Sequence, residues 1–227
     1  MFEALIFDFD GLILETEEPC YHAWLEIFQE YGAHLPLEVW VDCIGRSADY
    51  FDPVRYLENE VGRALDGETL RLRQRRRYHE LLEQTPLLPG VTDYIAAAGE
   101  HGLMLAVASS SSSAWVVGHL DRLDILDAWV SVQCWSAGRR AKPEPDLYLA
   151  ALDALGVSAN RAVALEDSPN GILAAKRAEL LCVAVPNPMT SGLDLSAADL
   201  RLPSLSAVPL VELLQKLEPL QACGDAA

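Results

Sequence analysis

The sequence predicts an α/β fold, in which a parallel sheet is covered by helices on both faces and is interrupted by an inserted domain made of helices. Short apolar runs alternate with amphipathic helical patterns after residue 86, and this alternation is typical of parallel strands joined by right-handed crossovers. Residues 36–84, in contrast, are rich in Arg, Glu and Leu at helical spacing and contain no convincing strand. We therefore expect residues 1–14 and 85–227 to form the core and residues 15–84 to form the helical insertion.

Each predicted strand is a short apolar run, and each predicted helix has apolar residues at a spacing of three to four. Helix starts and stops are indicated by Gly32, by the Pro89-Gly90 turn and by Ser168-Pro169. The predicted strands, in chain order, are residues 4–9, 103–108, 128–132, 162–165 and 181–185. The predicted helices are residues 17–31 within the insertion, and residues 91–101, 114–123, 146–155, 169–178 and 209–217 in the core. We expect the tail after the last helix to be frayed.

The charge balance limits the kinds of partner. The chain carries 17 basic and 34 acidic side chains and a formal charge of −17, which argues against a broad surface for nucleic acid or an anionic membrane. With 51% hydrophobic residues, the chain can bury a full-sized core and is not mainly disordered. The expected partner is a small molecule, and the sequence predicts no oligomeric state.

The cysteines and the apolar runs indicate in which cellular compartment the protein is expected. The five cysteines include no C-x-x-C pair, so neither a zinc knuckle nor a disulfide framework is indicated. No basic leader with a long apolar region opens the chain, and no apolar run approaches the roughly 20 residues that span a bilayer. A soluble protein in the reducing cytoplasm is the simplest expectation.

The first predicted strand closes in Asp8-Phe9-Asp10-Gly11. Because side chains two apart on a strand point to the same side, Asp8 and Asp10 would place two carboxylates in one small volume while Phe9 faces the core. Such a pair is costly beside a buried strand unless a cation or a shared proton compensates it. The alternative is that Asp10-Gly11 is an ordinary turn after a strand.

A second acidic pair, Glu166 and Asp167, follows another apolar run. In open parallel sheets, ligands bind beyond the carboxyl ends of the strands, where Asp167 would complete an oxygen-rich site with the first pair. Mg²⁺ takes one or two carboxylates, keeps several waters and leaves room for phosphate, so Mg²⁺ is the predicted cofactor. The alternative is a simple helix start, with Ser168 as the N-cap and Pro169 as the first helical residue.

Two further segments could hold phosphate. The serines at positions 109–113 follow a third apolar run and precede a predicted helix, and hydroxyls and backbone N–H groups at a helix start suit phosphate oxygens. The alternative is a flexible polar turn in which one serine caps the helix. Lys142, in Lys142-Pro143-Glu144-Pro145, offers a fixed positive charge, although most lysines beside a proline turn are solvated.

The four segments occur in one order: an aspartate pair on the first strand, a serine at a later strand end, a lysine before a helix, and an acidic pair on the next strand. This order resembles the haloacid-dehalogenase superfamily of phosphotransferases, which carries four such motifs on a Rossmann-like core. The resemblance covers nearly the whole chain, and the helical insertion is similar to the mobile cap of that superfamily. Within it, the chain resembles the β-phosphoglucomutase-like phosphatases.

The resemblance implies a phosphoric monoester hydrolase with Asp8 as the nucleophile that forms an aspartyl-phosphate and Asp10 as the general acid and base. The second aspartate indicates phosphate chemistry, because dehalogenases of the superfamily lack it. The metal site that the resemblance implies consists of an Asp8 oxygen, the Asp10 backbone carbonyl, Asp167, and Glu166 through a water. The phosphate site that it implies consists of Ser109, the backbone N–H of Ser110, and Lys142.

The predicted cap departs from the mutase pattern. The mutase carries a histidine where this chain aligns Cys20 and an arginine where it aligns Ala48, which favours hydrolysis over mutase activity. His22 and Arg46 lie close enough in sequence to be partial substitutes, and together with Glu17 they are the candidate substrate contacts of the cap. The alternative for His22 is a packed or surface helix residue.

The arginines of residues 71–77 lie on a predicted cap helix together with Glu68, Glu80 and Glu83. A solvated helix face with i,i+4 ion pairs is the main interpretation. The alternative is that one arginine reaches a charged substrate.

The predicted function is a Mg²⁺-dependent phosphatase for a small phosphorylated metabolite, with a sugar phosphate as one candidate. A phosphosugar mutase is the second hypothesis. The third is a phospho-accepting signalling receiver, but receivers are about half this length and carry the acceptor aspartate on a middle strand.

Overall fold

The computed structural model describes residues 1–44 and 50–224. The chain divides into two compact units. One unit combines Met1–Leu14 with Pro86–Ala227, and the other is Glu15–Thr85.

The first unit contains a parallel sheet in the order β3-β2-β1-β4-β5-β6. Its strands are β1 (Ala4–Phe7), β2 (Met104–Ser112), β3 (Ser131–Trp135), β4 (Ala162–Glu166), β5 (Leu181–Ala184) and β6 (Leu200–Arg201). The first strand of the chain is therefore central, with β2 on one side and β4 on the other. Strand order reverses around β1, and ligand sites of open parallel sheets lie at such a point.

The helices belong to both units. In chain order they are α1 (Glu17–Glu30), α2 (Leu37–Val41), α3 (Pro53–Val61), α4 (Gly67–Glu83), α5 (Val91–Glu100), α6 (Ser113–Arg122), α7 (Asp146–Leu155), α8 (Pro169–Arg177) and α9 (Leu210–Gly224). Helices α1 to α4 lie in Glu15–Thr85, and the others lie in the unit with the sheet.

The core of the first unit forms on the two faces of the central strands. Every residue of β1 is fully buried. Ala4 and Ile6 pack in one buried cluster with residues of α7 and α8, while Leu5 and Phe7 point to the opposite face because strand side chains alternate. Phe7 packs edge-on against Trp129, with ring centroids 5.2 Å apart. The predicted fold class, a helix-covered parallel sheet with a helical insertion, is confirmed.

The helical unit is held together by the packing of α1 on α4 and by ion pairs along α4. Arg71 pairs with Asp52 at 2.8 Å, Arg73 with Glu30 at 2.6 Å, and Arg77 with Glu26 at 2.8 Å. These side chains are between 39% and 52% exposed. The arginine segment is a solvated face with ion pairs, as predicted, but these three pairs join α4 to residues 19 to 51 positions away rather than to i,i+4 neighbours.

The structure corrects several of the predicted elements. Strand β3 is Ser131–Trp135 rather than 128–132, because Leu126–Ala128 is a 3₁₀ turn and the apolar Trp129 is buried outside the strand. Strand β6 was missed because two residues are too few to show alternation. Helix α9 continues to Gly224 rather than ending at 217, and Gln221 Nε2 donates to the Asn160 carbonyl at 2.7 Å; the end of the expected frayed tail, residues 225–227, lies outside the described residues.

Within the described residues, no helix combines the length and the apolar character that crossing a membrane requires.

Candidate active site

Three of the segments singled out from the sequence stand at the carboxyl ends of three adjacent strands, β1, β2 and β4. Asp8 directly follows β1, Ser109 lies within β2, and Glu166 is the last residue of β4. Phe9 is fully buried, as expected, and its ring stacks on the imidazole of His119 at 6.2 Å between centroids. The buried strands therefore fix the backbone positions from which these polar side chains extend.

A buried ion-pair network joins Asp8, Lys142 and Glu166. The Lys142 Nζ donates to Asp8 Oδ1 at 2.6 Å and to Glu166 Oε1 at 2.5 Å. The Asp8 side chain is 10% exposed, that of Lys142 is 5% exposed, and that of Glu166 is 0% exposed. The interpretation of Lys142 as a solvated lysine is therefore wrong: one ammonium bridges two carboxylates, and close pairing is what offsets the cost of burying such charges.

The network changes the protonation of its members. Burial and the charge of Glu166 raise the pKa of Asp8 to about 7, while Lys142 acts in the opposite direction. Burial lowers the pKa of Lys142, but the charges of Asp8 and Glu166 more than offset this effect and hold that pKa above its ordinary value. Lys142 is therefore a permanent cation, whereas Asp8 can exchange its proton for another cation near neutral pH.

Glu166 receives donors on both of its carboxylate oxygens. The Tyr148 hydroxyl donates to Oε1 at 2.8 Å, on the same oxygen as Lys142. Oε2 accepts from the backbone N–H groups of Asp167 and Ser168 and from the Ser168 hydroxyl, at 3.1, 3.3 and 3.2 Å. This carboxylate is therefore held rigidly, and its charge is well compensated.

Ser168 also starts a helix. Its Oγ accepts from the Gly171 backbone N–H at 3.1 Å, and Pro169 occupies the first turn of α8. The helix-start interpretation of this segment is thus confirmed. The helix start and the acidic pair are linked, because Ser168 both caps α8 and donates to the Glu166 carboxylate.

Asp167 lies against the loop that follows β1. A Cβ added to Gly11, whose φ is +83°, would come within 2.2 Å of Asp167 Oδ2, so only glycine fits there. The Asn187 Nδ2 donates to Asp167 Oδ2 at 3.2 Å and to the Gly11 carbonyl at 2.8 Å. The orientation of Asp167 is therefore set by residues on two other loops.

The carboxylates fit a hard cation. Asp8, Glu166 and Asp167 are all buried, and their ligand atoms lie within 4.8 Å of one another. Lys142 pairs with two of these three carboxylates, so the cluster has an excess of negative charge that a buried site does not tolerate without a counter-ion. All-oxygen donors of this kind suit Mg²⁺. The described residues are therefore chemically suited to the predicted ion.

The Asp10 carboxylate hydrogen-bonds to partners other than those of Asp8. Strand alternation does not apply to it, because β1 ends at Phe7. It accepts from the hydroxyls of Ser109 and Ser111 at 3.2 and 2.7 Å and from Trp115 Nε1 at 3.0 Å. Its charge still contributes to the raised pKa of Asp8.

The serine segment is a strand rather than a turn, which corrects the sequence prediction. Strand β2 continues to Ser112, and its pairing with β3 shifts between Ser109 and Ser112. Such a bulge redirects side chains at a sheet end, and here it brings the hydroxyls of Ser109 and Ser111 to Asp10. Ser112 caps α6 by accepting from the Trp115 backbone N–H at 3.4 Å, as the capping interpretation predicts.

The predicted phosphate-site residues lie together. Ser109 is fully buried, whereas Ser110 is exposed. The Ser110 Oγ accepts from the Lys142 backbone N–H at 3.1 Å. The end of β2 is thereby tied to the loop that carries the lysine.

The candidate cap residues belong to the helical unit. Glu17 is the first residue of α1. His22 lies on the same helix, is 50% exposed and stands 3.6 Å from a Glu18 carboxylate oxygen, in agreement with a surface helix residue. Arg46 lies outside the described residues.

The sequence missed four residues of the site: Ser111, Trp115, Tyr148 and Asn187. Ser111 was hidden within the serine run, because the bulge that selects it has no sequence signal. The other three contact partners far away in the chain, as the 105 positions between Trp115 and Asp10 illustrate. A polar group at a strand end or on the first turn of a following helix is the only local hint.

Comparison with known proteins identifies the protein family of this chain. A model of the family described as haloacid dehalogenase-like hydrolase matches residues 5–185. The chain belongs to this family, as its motifs predicted.

Individual relatives indicate the type of enzyme within this family. Putative phosphatase YhcW of Bacillus subtilis (strain 168) is 44% identical over 217 residues, which cover 96% of this chain and 98% of the relative. A CbbY variant from Rhodobacter sphaeroides, solved in complex with xylulose-(1,5)bisphosphate, is 29% identical with a TM-score of 0.69, over 91% of this chain and 96% of that one. A putative β-phosphoglucomutase from Thermotoga maritima shares the fold, with a TM-score of 0.78 and 23% identity over 95% of this chain and 100% of that one. The chain is a phosphoric monoester hydrolase of the haloacid dehalogenase-like family, as predicted.

Proposed function

We propose that this chain is a Mg²⁺-dependent phosphatase that hydrolyses a small phosphorylated metabolite through an aspartyl-phosphate on Asp8. The observation that carries the proposal is the buried contact of Lys142 Nζ with Asp8 Oδ1 at 2.6 Å, beside the carboxylates of Glu166 and Asp167. A fixed cation next to a carboxylate nucleophile reduces the repulsion between that carboxylate and an incoming phosphate dianion.

In the first proposed step, an Asp8 oxygen attacks phosphorus and the bond from phosphorus to the substrate oxygen breaks. Asp10 gives its proton to the departing alcohol. Lys142, the Ser109 hydroxyl and the Ser110 backbone N–H hold the phosphoryl oxygens. Hydrogen bonds from Ser109, Ser111 and Trp115 hold Asp10 in one orientation for this task.

In the second proposed step, water attacks the aspartyl-phosphate. Asp10, now ionised, accepts a proton from that water. The bond between phosphorus and Asp8 breaks, which releases inorganic phosphate and restores both carboxyl groups to their starting state.

Mg²⁺ would be held by Asp8, the Asp10 backbone carbonyl and Asp167, with Glu166 acting through a water. It would supply positive charge to the transferring phosphoryl group. The excess of buried carboxylates over ammonium groups supports this assignment.

The first test is Asp8→Asn, which keeps the shape of the side chain and removes the nucleophile. With p-nitrophenyl phosphate and Mg²⁺, phosphate release should fall at least about 10³-fold, and chelation of Mg²⁺ should stop the wild type. Asp153→Asn, an equal charge change at an exposed position of α7, is the matched control and should keep full activity. Turnover by Asp8→Asn at the wild-type rate would remove Asp8 from this role.

The proposed substrate class follows from the phosphate chemistry of the site and from the similarity to CbbY. The CbbY structure with xylulose-(1,5)bisphosphate makes sugar phosphates the first class to screen. Phosphorus NMR with a sugar 1-phosphate separates the two reaction types, because a hydrolase yields free phosphate and a mutase yields the 6-phosphate.

The helical unit is proposed to act as the cap that reads the substrate, with Glu17, His22 and Arg46 as candidate contacts. Alanine variants of Glu17 and His22 should raise KM for the natural substrate more than KM for p-nitrophenyl phosphate. Equal effects on both substrates would exclude a reading role. A cytoplasmic location remains part of the proposal.

A further inference from the structure

Asn187 has a side-chain amide whose hydrogen-bonding groups are all used. The residue is 7% exposed. Its Nδ2 donates to the Gly11 carbonyl at 2.8 Å and to Asp167 Oδ2 at 3.2 Å. Its Oδ1 accepts from the backbone N–H groups of Met189 and Thr190 at 2.8 and 2.9 Å. The amide orientation is therefore unambiguous, because the two ends face groups of opposite kind.

The amide joins three loops at the carboxyl ends of neighbouring strands. Gly11 follows β1, Asp167 follows β4 and Asn187 follows β5. The contact between Gly11 and Asp167 is already so close that a Cβ on Gly11 would lie 2.2 Å from the carboxylate. Asn187 thus holds two parts of the site in place. One is the loop that carries Asp8 and Asp10, and the other is the carboxylate of Asp167.

A neutral donor has a particular effect at this position. A lysine or arginine would hold Asp167 equally well, but it would also neutralise the carboxylate and compete with a metal ion. The amide donates one hydrogen to Oδ2 and adds no net charge. The amide therefore restricts the orientation of Asp167 without placing a cation beside it.

We propose that Asn187 is a positioning residue that orients Asp167 for Mg²⁺. The inference rests on the proposed function, since it assigns Asp167 to the metal. Outer partners of metal-ligating carboxylates typically contribute 10- to 100-fold to metal affinity. Asn187 accordingly determines how tightly the ion binds, without touching substrate.

The test uses two variants, each of which removes a different set of the hydrogen bonds of Asn187. Asn187→Ser keeps an oxygen that can accept from the turn N–H groups but is too short to reach Gly11 and Asp167. Thr190→Val leaves the amide bridge intact and removes the hydroxyl that accepts from the Asn187 backbone N–H at 3.1 Å. The second variant therefore reports the effect of loosening the turn alone.

The readout is the Kd for Mg²⁺ alone, measured by isothermal titration calorimetry on the full chain without substrate. We expect Asn187→Ser to raise this Kd about tenfold and to raise the Mg²⁺ concentration for half-maximal activity equally. Turnover at saturating Mg²⁺ should stay within about threefold of wild type, because Asn187 does not contact the reacting groups. Thr190→Val should leave the Kd within about twofold of wild type.

An unchanged Kd in Asn187→Ser, or an equal rise in Thr190→Val, would overturn the inference and leave the proposed function intact. A wild-type chain that binds no Mg²⁺ and needs none for turnover would overturn both. The wild-type titration thus separates the two failures.

Discussion

Asp8 is subject to opposing electrostatic effects, and they lead to a prediction about pH. Its pKa is raised to about 7 by burial and by Glu166, whereas the unfolded chain loses this proton near its ordinary value of about 4. Between those values the folded state binds more protons than the unfolded state. The contribution of Asp8 to the free energy of unfolding therefore falls as the pH rises from about 4 to about 7.

Comparison with Asp8→Asn isolates this contribution. In metal-free buffer, the variant should gain about 3 kcal/mol in free energy of unfolding relative to the wild type between pH 4.5 and 7.5, measured by urea unfolding. Asp153→Asn should show no such gain. A constant difference between Asp8→Asn and the wild type over this range would contradict the raised pKa.

Tyr148 gives a second prediction at the scale of one atom. Tyr148→Phe keeps the ring, whose centroid lies 5.1 Å from Lys142 Nζ, and removes only the hydroxyl that donates to Glu166. The free energy of unfolding should fall by about 2 kcal/mol, as for loss of a hydrogen bond to a charged group. Phosphatase turnover should fall roughly fivefold, because Glu166 and Lys142 are held less firmly.

Tyr94→Phe is the matched control for that change. Its hydroxyl donates to the Val208 carbonyl at 2.8 Å, so the variant loses a comparable bond elsewhere in the same unit. It should lose about 1 kcal/mol of stability and keep its turnover. Equal losses of activity in both tyrosine variants would mean that Tyr148 acts only through general stability.

At the scale of elements, the irregular end of β2 is the feature with the most chemical consequence. Ser111→Ala removes the 2.7 Å hydrogen bond to Asp10. We expect a roughly tenfold lower turnover, a part of the 10²- to 10⁴-fold that general acid–base catalysis contributes, in a steady-state assay with p-nitrophenyl phosphate.

Ser112→Ala tests the neighbouring position. It removes the N-cap of α6 and should cost about 1 kcal/mol of stability with no change in turnover. If the two serine variants lost activity equally, the bulge would serve the helix rather than Asp10.

The same elements show what a sequence can and cannot predict. Helix α7, Asp146–Leu155, has the predicted bounds because an amphipathic run ends at Gly156, whose φ of +67° closes the helix. Asp8, Lys142, Glu166 and Asp167 were found because four ordered motifs identify them together. The bulge in β2 and the bridge from Asn187 to Gly11 were not, since both depend on tertiary contacts between residues that have no pattern in the sequence.

At the scale of the whole molecule, the formal charge of −17 opposes the approach of an anionic substrate. Salt should therefore help rather than hinder binding. At saturating Mg²⁺, KM for p-nitrophenyl phosphate should fall about twofold as NaCl rises from roughly 10 to 150 mM, with kcat unchanged. A KM that rises with salt would show that the positive charge at the site dominates the encounter.

The central position of β1 has a consequence for synthesis on the ribosome. This strand is translated before the other strands of the sheet, yet one neighbour, β2, follows the whole of Glu15–Thr85, and the other, β4, ends at Glu166. Helices with local contacts form quickly, whereas distant strand pairs form late. The nascent chain therefore carries an exposed apolar strand and an unpaired Asp8 past a fully translated helical segment, and chaperone binding to the first residues should persist until translation passes β4.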